Sequence, residues 1–310
     1  MATMTWTRLR RVVASRGFTP ATWLPAASEA RSQETAIRLA RVVEPGPFEP
    51  RPVGTPEPWP GMVAFLEGTQ RYEVMSYAST TPVVVAEVAA AVMERREKKL
   101  YPVEEARRRL VIARPSVLDS LGDLVDDHET VALSEDTPAH PVQEFQLASR
   151  VVDQARSRLE MEVGLRYRKR SSAWLIVDGP IAVNPLWACD PRMIGVVKAH
   201  PTFPFEGSDL DRYRHMPAGS RSPIFVPPGN EISPVYSWGL RLWPWKGKHV
   251  LHGLVRVEAA PTDQTLAQVD ELSRWILAER APVSTPDPRW DRLLHGIRAV
   301  EEYLGASGER

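Results

Sequence analysis

The sequence predicts an α/β fold, a mixed β-sheet flanked by helices, and three observations carry that prediction. A strand pair comes first, in GMVAFLEGTQRYEVMSYAS at residues 61–79. A long amphipathic helix follows over about 140–168, where Val151, Ala155, Leu159 and Val163 recur at four-residue spacing and make one apolar stripe. A strongly apolar strand, AWLIVDGPIAV, comes soon after it. Hairpin, helix and buried strand in that order fit a mixed sheet.

Along the chain, residues 28–42 (SEARSQETAIRLARV) have helical spacing. The proline-rich stretch 43–61 excludes a helix or a central strand, so it reads as an extended connector. Residues 1–60 are expected to form an N-terminal arm packed on or beside a main domain spanning 61–310. Val63 and Phe65 open a short strand that ends at Glu67-Gly68, and Arg71 to Tyr77 return as its hairpin partner. Residues 83–99 (VVVAEVAAAVMERREKK) read as a helix ending in a solvated charge run. Residues 103–126 give no clear pattern. MIGVVKAH, then 222–226, 235–243 and 250–258, are β-rich. A helix over about 263–279, a proline-rich loop and a terminal helix at 290–304 close the chain.

The 310 residues suffice for one large domain or two small ones, and 43% hydrophobic with 25% charged residues is a soluble globular balance. Lys plus Arg and Asp plus Glu number 39 each, so the net charge of zero lends nucleic-acid binding no support and does not exclude it. The single cysteine, Cys189, excludes an internal disulfide and a CxxC metal site; it reads as a small buried residue of a cytoplasmic protein. The chain has no apolar run of membrane-spanning length, and the basic start is not read as a signal peptide.

The chemistry is concentrated in FLEGTQR and WLIVDGPI. Each is an apolar strand ending in a carboxylate followed by glycine, so each delivers an acid to a fixed point at the sheet edge. Two such strands side by side bring Glu67 and Asp178 together. Like charges a few Å apart need a cation between them, and hard oxygen ligands suit Mg²⁺ or Mn²⁺. An acid after AWLIV is costly to place unless something uses it. The preceding helix offers a third acid, Glu160, with Glu162 as the competitor; either also reads as a surface acid paired with Arg156, Arg158 or Arg166. Two metal ions bridged by such acids would activate water and stabilise the leaving oxygen of a phosphodiester.

These segments, taken in order, resemble the NurA domain of prokaryotic DNA-end-processing nucleases, in its bacterial branch. FLEGTQRYEV is similar to the family's first motif, LEMEVGLRY with WLIVDGPI to its helix-glutamate and second-aspartate motifs, and MIGVVKAH, RSPIF, SWGLRL, HGLVRVE and PDPRWDRLLHGIRAVEEYL follow in the family's order. The similarity covers about residues 60–305. It implies an RNase H-like sheet, Mn²⁺- or Mg²⁺-dependent exo- or endonuclease action on DNA with two ions, a homodimer, and partnership with a HerA-type hexameric ATPase in DNA repair or anti-phage defence. Carried over by position, the metal-binding catalytic acids fall on Glu67, Glu160, Asp178 and Asp270, with Asp287 the alternative to the last. The chain departs from the family at Glu67, where the family has Asp. One extra methylene displaces the carboxylate by roughly 1–1.5 Å, a misplacement that costs on the order of a hundredfold in rate. A catalytically weakened binding or assembly subunit is therefore the second reading, and a phosphohydrolase of small nucleotides the third.

Arg71, Lys198, His200 and Arg221, with Arg256, are the candidate DNA-backbone contacts. Of the ten tryptophans, Trp238, Trp243 and Trp245 lie near Arg241 and Lys246, a mixture that suits either base stacking or a core.

Overall fold

The computed structural model describes residues 9, 13–20, 39–97, 99–125, 127–134, 140–198, 203–229, 231–246, 248–280, 292 and 294–307. The longer strands are β1 (Val63–Ala78), β2 (Thr81–Arg96), β3 (Lys99–Ala113), β4 (Glu129–Ala132), β5 (Trp174–Asp178), β6 (Met193–Val197), β7 (Tyr236–Arg241) and β8 (Leu254–Ala259). The helices are α1 (Pro115–Leu121), α2 (Pro141–Arg168), α3 (Pro185–Ala188), α4 (Gly207–Arg214), α5 (Asp263–Ala278) and α6 (His295–Ser307).

The strands form one sheet, 13-stranded when two-residue segments are included, in the order β7-β8-β6-β5-β1-β2-β3-β4. Within it, β2 is antiparallel to β1 and β3, while β5 runs parallel to both β1 and β6. The order β3-β2-β1-β5-β6 with only β2 reversed is the RNase H-like arrangement, so the α/β mixed sheet flanked by helices is the observed fold.

Helices cover both faces. Ala64, Leu66, Val88, Ala90, Leu175 and Val177 pack beneath α2 through Val152, Leu159 and Val163. Phe65, Ile176, Val196, Trp238 and Val257 pack on the opposite face against Leu272 and Ile276 of α5 and Ile297 and Val300 of α6. The α2 stripe is thus core, as its spacing predicts. Pro141 opens the helix, His140 caps it by accepting from the Gln143 amide, and Arg166 and Arg168 lie in its last turn, where cations are favoured.

Two readings are corrected in the first hairpin. Residues 63–78 are one strand of 16 residues, not two, and the chain turns at Ser79-Thr80 rather than at Gly68. The segment from residue 83, whose composition predicts a helix, is strand β2, and 99–113 is β3. Valines and alanines of β2 are buried on both faces of the sheet, so the strand shows a continuous apolar run in place of the alternation that marks a half-buried strand. Most of the helix read at 28–42 lies outside the described residues; its end, Arg41–Val42, is a short strand paired with Phe225–Val226. The proline-rich connector is extended, and Arg51–Pro52 pairs with Ser220–Arg221. No helix among the described residues is long and apolar enough to cross a membrane.

Candidate active site

The site forms where β5 and β6 end against the middle of β1. Leu66 and Val177 are the last paired residues of the parallel strands β1 and β5. Glu67 and Asp178 come next, so by alternation both leave the sheet on the face of Phe65 and Ile176. Asp178 is paired with Val196 of β6, which places Lys198, two residues on, beside it. The Lys198 Nζ lies 2.8 Å from Asp178 Oδ1.

The backbone beyond Asp178 is pinned. Gly179 adopts φ 119°, a conformation that disfavours any side chain, and its amide donates to the Val196 carbonyl at 3.0 Å. The next amides, of Ile181 and Ala182, donate to Glu258 Oε2 at 3.0 and 3.3 Å. Glu258 is fully buried on β8, and its other oxygen accepts from Arg256 Nη2 at 2.8 Å. Sequence reasoning missed Glu258, because an acid within HGLVRVE carries no signal of the loop it holds.

Glu160 approaches from the opposite face, from α2, across Gly68. It is 8% exposed and forms an ion pair with Arg156 one turn earlier. Arg156 Nε donates to Gln70 Oε1 at 3.1 Å, and Gln70 Nε2 donates to Asp153 Oδ1 at 2.8 Å. The pair with Arg156 expected of a surface acid is formed, and the carboxylate is nonetheless buried.

These acids sense one another. Burial pushes the Glu67 carboxyl well above the usual carboxylate range, and the Asp178 charge adds to this, while Lys198 opposes it. The Asp178 side chain also comes within hydrogen-bonding reach of Glu67 and raises it, as does the Glu160 charge. Burial likewise pushes Glu160 up to about 7, against the pull of Arg156 and with a further push from Asp178.

Glu67, Glu160 and Asp178 are hard oxygen donors, the chemistry that suits Mg²⁺ or Mn²⁺. Glu67 Oε2 is buried with no hydrogen-bond partner among the described residues, an acceptor left without a donor. The residue types therefore fit a divalent cation. As the side chains stand, no group of three or more His, Cys, Asp or Glu among the described residues encloses an ion position. Arg156 engages Glu160, and Lys198 engages Asp178.

Asp270 does not join this cluster. Its side chain is 51% exposed and pairs with Arg221 Nε. Arg221 lies beside β7, and β7, β8 and β6 separate it from β5, a lateral distance of roughly 19 Å at the usual strand spacing. Asp287 lies outside the described residues, as does His200. Glu162 faces away from the cluster and pairs with Arg108 at 2.7 Å.

The basic candidates also separate. Arg221 is 2% exposed, and its guanidinium is spent on Glu44 and Asp270, tying the connector to the sheet rather than offering itself to a phosphate. Arg71 is exposed and donates to the Gly305 carbonyl of α6 at 3.3 Å. Arg256 is engaged by Glu258. Trp238 is core, its Nε1 donating to Ser273 Oγ at 2.9 Å; Trp243 lies under the Arg280 guanidinium at 4.3 Å, and Trp245 lies against His215. Cys189, expected to be buried, is exposed.

No protein-family model matches the chain, and no curated protein matches it. Among solved structures it is similar to the NurA nuclease from Sulfolobus solfataricus, at 11% identity over 84% of this chain and 87% of that one, with a TM-score of 0.45. A likeness at that score carries no argument about what this chain does.

Proposed function

We propose that this chain is a divalent-metal-dependent DNA nuclease in which Glu67, Glu160 and Asp178 hold the ion. The observation that supports this reading is that Glu67 of β1 and Asp178 of β5 come within hydrogen-bonding reach of each other, with the Glu160 carboxylate of α2 near enough to raise the Glu67 carboxyl further. Mn²⁺ or Mg²⁺ is the ion, and when bound it would polarise the scissile phosphodiester and lower the pKa of a water. The chain's own residues do the rest. A bound ion would favour the ionised forms of Glu67 and Glu160, while Arg156 orients Glu160 and Glu258 fixes the loop that follows Asp178. Lys198, besides its contact with Asp178, is the basic group nearest an incoming phosphate.

The ordered motifs that resemble the NurA family support the finer assignments: a homodimer in the cytoplasm, working with a HerA-type ATPase on DNA ends in repair or anti-phage defence. The test is cleavage of linear DNA by the purified chain with Mn²⁺, compared with mononucleotide esters and with a chelator present. Metal-dependent loss of long DNA supports the proposal. Cleavage of the small esters alone would reassign the substrate, and no cleavage with any divalent ion would remove the enzymatic reading.

One observation favours the second reading, a catalytically weakened binding subunit. Glu67 is long enough to come within hydrogen-bonding reach of the Asp178 carboxyl. Shortening the side chain by Glu67→Asp separates the two readings. A large gain in cleavage marks a weakened wild-type site; an active wild type with no gain rejects that reading.

A further inference from the structure

We propose that the loop joining β7 to β8, residues 242–253, binds a single-stranded nucleic acid, with bases stacked on Trp245 and phosphates held by the cations around it. The inference deepens the nuclease reading above and rests on it for the class of ligand. It needs no metal ion.

Strand register puts this loop at the end of the sheet that carries Asp178. Asp178 is paired with Val196, Val196 with Val257, and Val257 with Trp238. β6 runs parallel to β5, and β8 runs antiparallel to both β6 and β7. Hence β7 ends and β8 begins at the edge beyond Asp178 and Lys198. β7 is three strands from β5, a lateral offset of roughly 14 Å at the usual strand spacing.

The loop sequence, LWPWKGKHVLHG, has two lysines, two histidines and no carboxylate. Its charge suits a polyanion. Trp245 is only half-buried, and its ring is supported by His215 with the centroids 5.0 Å apart. A supported, partly open indole is what a base can stack on. Lys246, next to it, is exposed and has no ion-pair partner among the described residues.

A row of cations joins the loop to Asp178. The Arg280 guanidinium covers the Trp243 ring at 4.3 Å, and the Arg280 backbone bridges to Leu294. Arg292, two residues before Leu294, donates to the Lys198 carbonyl at 3.1 Å, and Lys198 Nζ meets Asp178 Oδ1 at 2.8 Å. A strand stacked at Trp245 thus finds basic residues at successive steps toward the acids. An acidic protein segment would use the cations but would leave the indole without a role.

Fluorescence anisotropy of a labelled oligo(dT) strand, titrated with the full chain in chelator, tests this without cleavage. Trp245→Ala should weaken binding by about 5- to 100-fold, and Trp245→Phe should retain most of the affinity. Lys246→Ala should lower the slope of affinity against salt by about 0.7. An abasic strand, which keeps the phosphates, should bind the wild type and Trp245→Ala alike. Oligo(dT) binding unchanged in Trp245→Ala and Lys246→Ala would overturn the inference and leave the nuclease reading standing. So would equal losses on the abasic strand, or polyglutamate binding with the same dependence on Trp245. A wild type that binds neither single-stranded nor duplex DNA would remove both. Where Trp245→Ala fails to fold, Lys246→Ala and the abasic comparison on the wild type decide.

Discussion

Gly68 and Glu160 interlock: a Cβ added to Gly68 would stand 2.7 Å from Glu160 Cγ and 2.8 Å from its Cδ. The glycine that looks like a turn signal in FLEGTQR is a strand residue, paired with Ala90, whose missing side chain gives the α2 acid its place. Gly68→Ala should therefore displace Glu160 with little damage elsewhere, since the obstructed atoms belong to a flexible side chain. The expected thermal destabilisation is below about 2 kcal/mol. Loss of cleavage should be on the order of a hundredfold, as for other misplacements of about 1 Å. Melting curves and cleavage rates on the same preparations check both halves, and near-normal cleavage would show that Glu160 is not required where it stands.

Glu258 gives the second prediction. Its carboxylate accepts from the Ile181 and Ala182 amides and from Arg256. Glu258→Ala leaves buried donors without an acceptor and a cation without its partner, a change that costs about 3–5 kcal/mol. Chemical denaturation should register that loss. Weakened Mn²⁺ binding should accompany it, because the loop after Asp178 is then unsupported.

The acids themselves predict a pH response of the metal-free protein. Glu160 rises from the ordinary 4.5 to about 7 on folding, and Glu67 moves in the same direction. Between those pH values the folded chain binds more protons than the unfolded one. This contribution to stability is complete below about pH 4.5 and is lost as pH rises through 7, by an amount on the order of 3 kcal/mol for Glu160. Denaturation in chelator across pH 4.5–8 should show the decline, and Glu160→Gln should flatten part of it. Metal affinity should rise over the same interval, because the protons must leave first. Stability that climbs from pH 5 to 8 in chelator would contradict the proposed burial of these acids.

Much of this arrangement was legible in the residues. The α2 stripe, the apolar strand into Asp178 and the pairing of that acid with one from the first strand follow from periodicity and from the cost of placing a carboxylate at the end of a buried strand. The helix reading of 83–99 failed because a strand buried on both faces has no alternation to betray it, and Ala-rich segments favour helices locally. Asp270 and Arg221 each looked like site residues taken singly. Only the fold shows that they neutralise each other several strands away. Lys198 was legible as a basic residue near the site, but not as the ion partner of Asp178, since that depends on the register of β6 against β5.

The most direct test is cleavage of linear duplex DNA in Mn²⁺ by the wild type and by Asp178→Asn, which keeps the shape and removes the charge. The account predicts steady degradation by the wild type and background levels in the variant, with the melting temperature little changed. A folded Asp178→Asn protein that cleaves as fast as the wild type would contradict it.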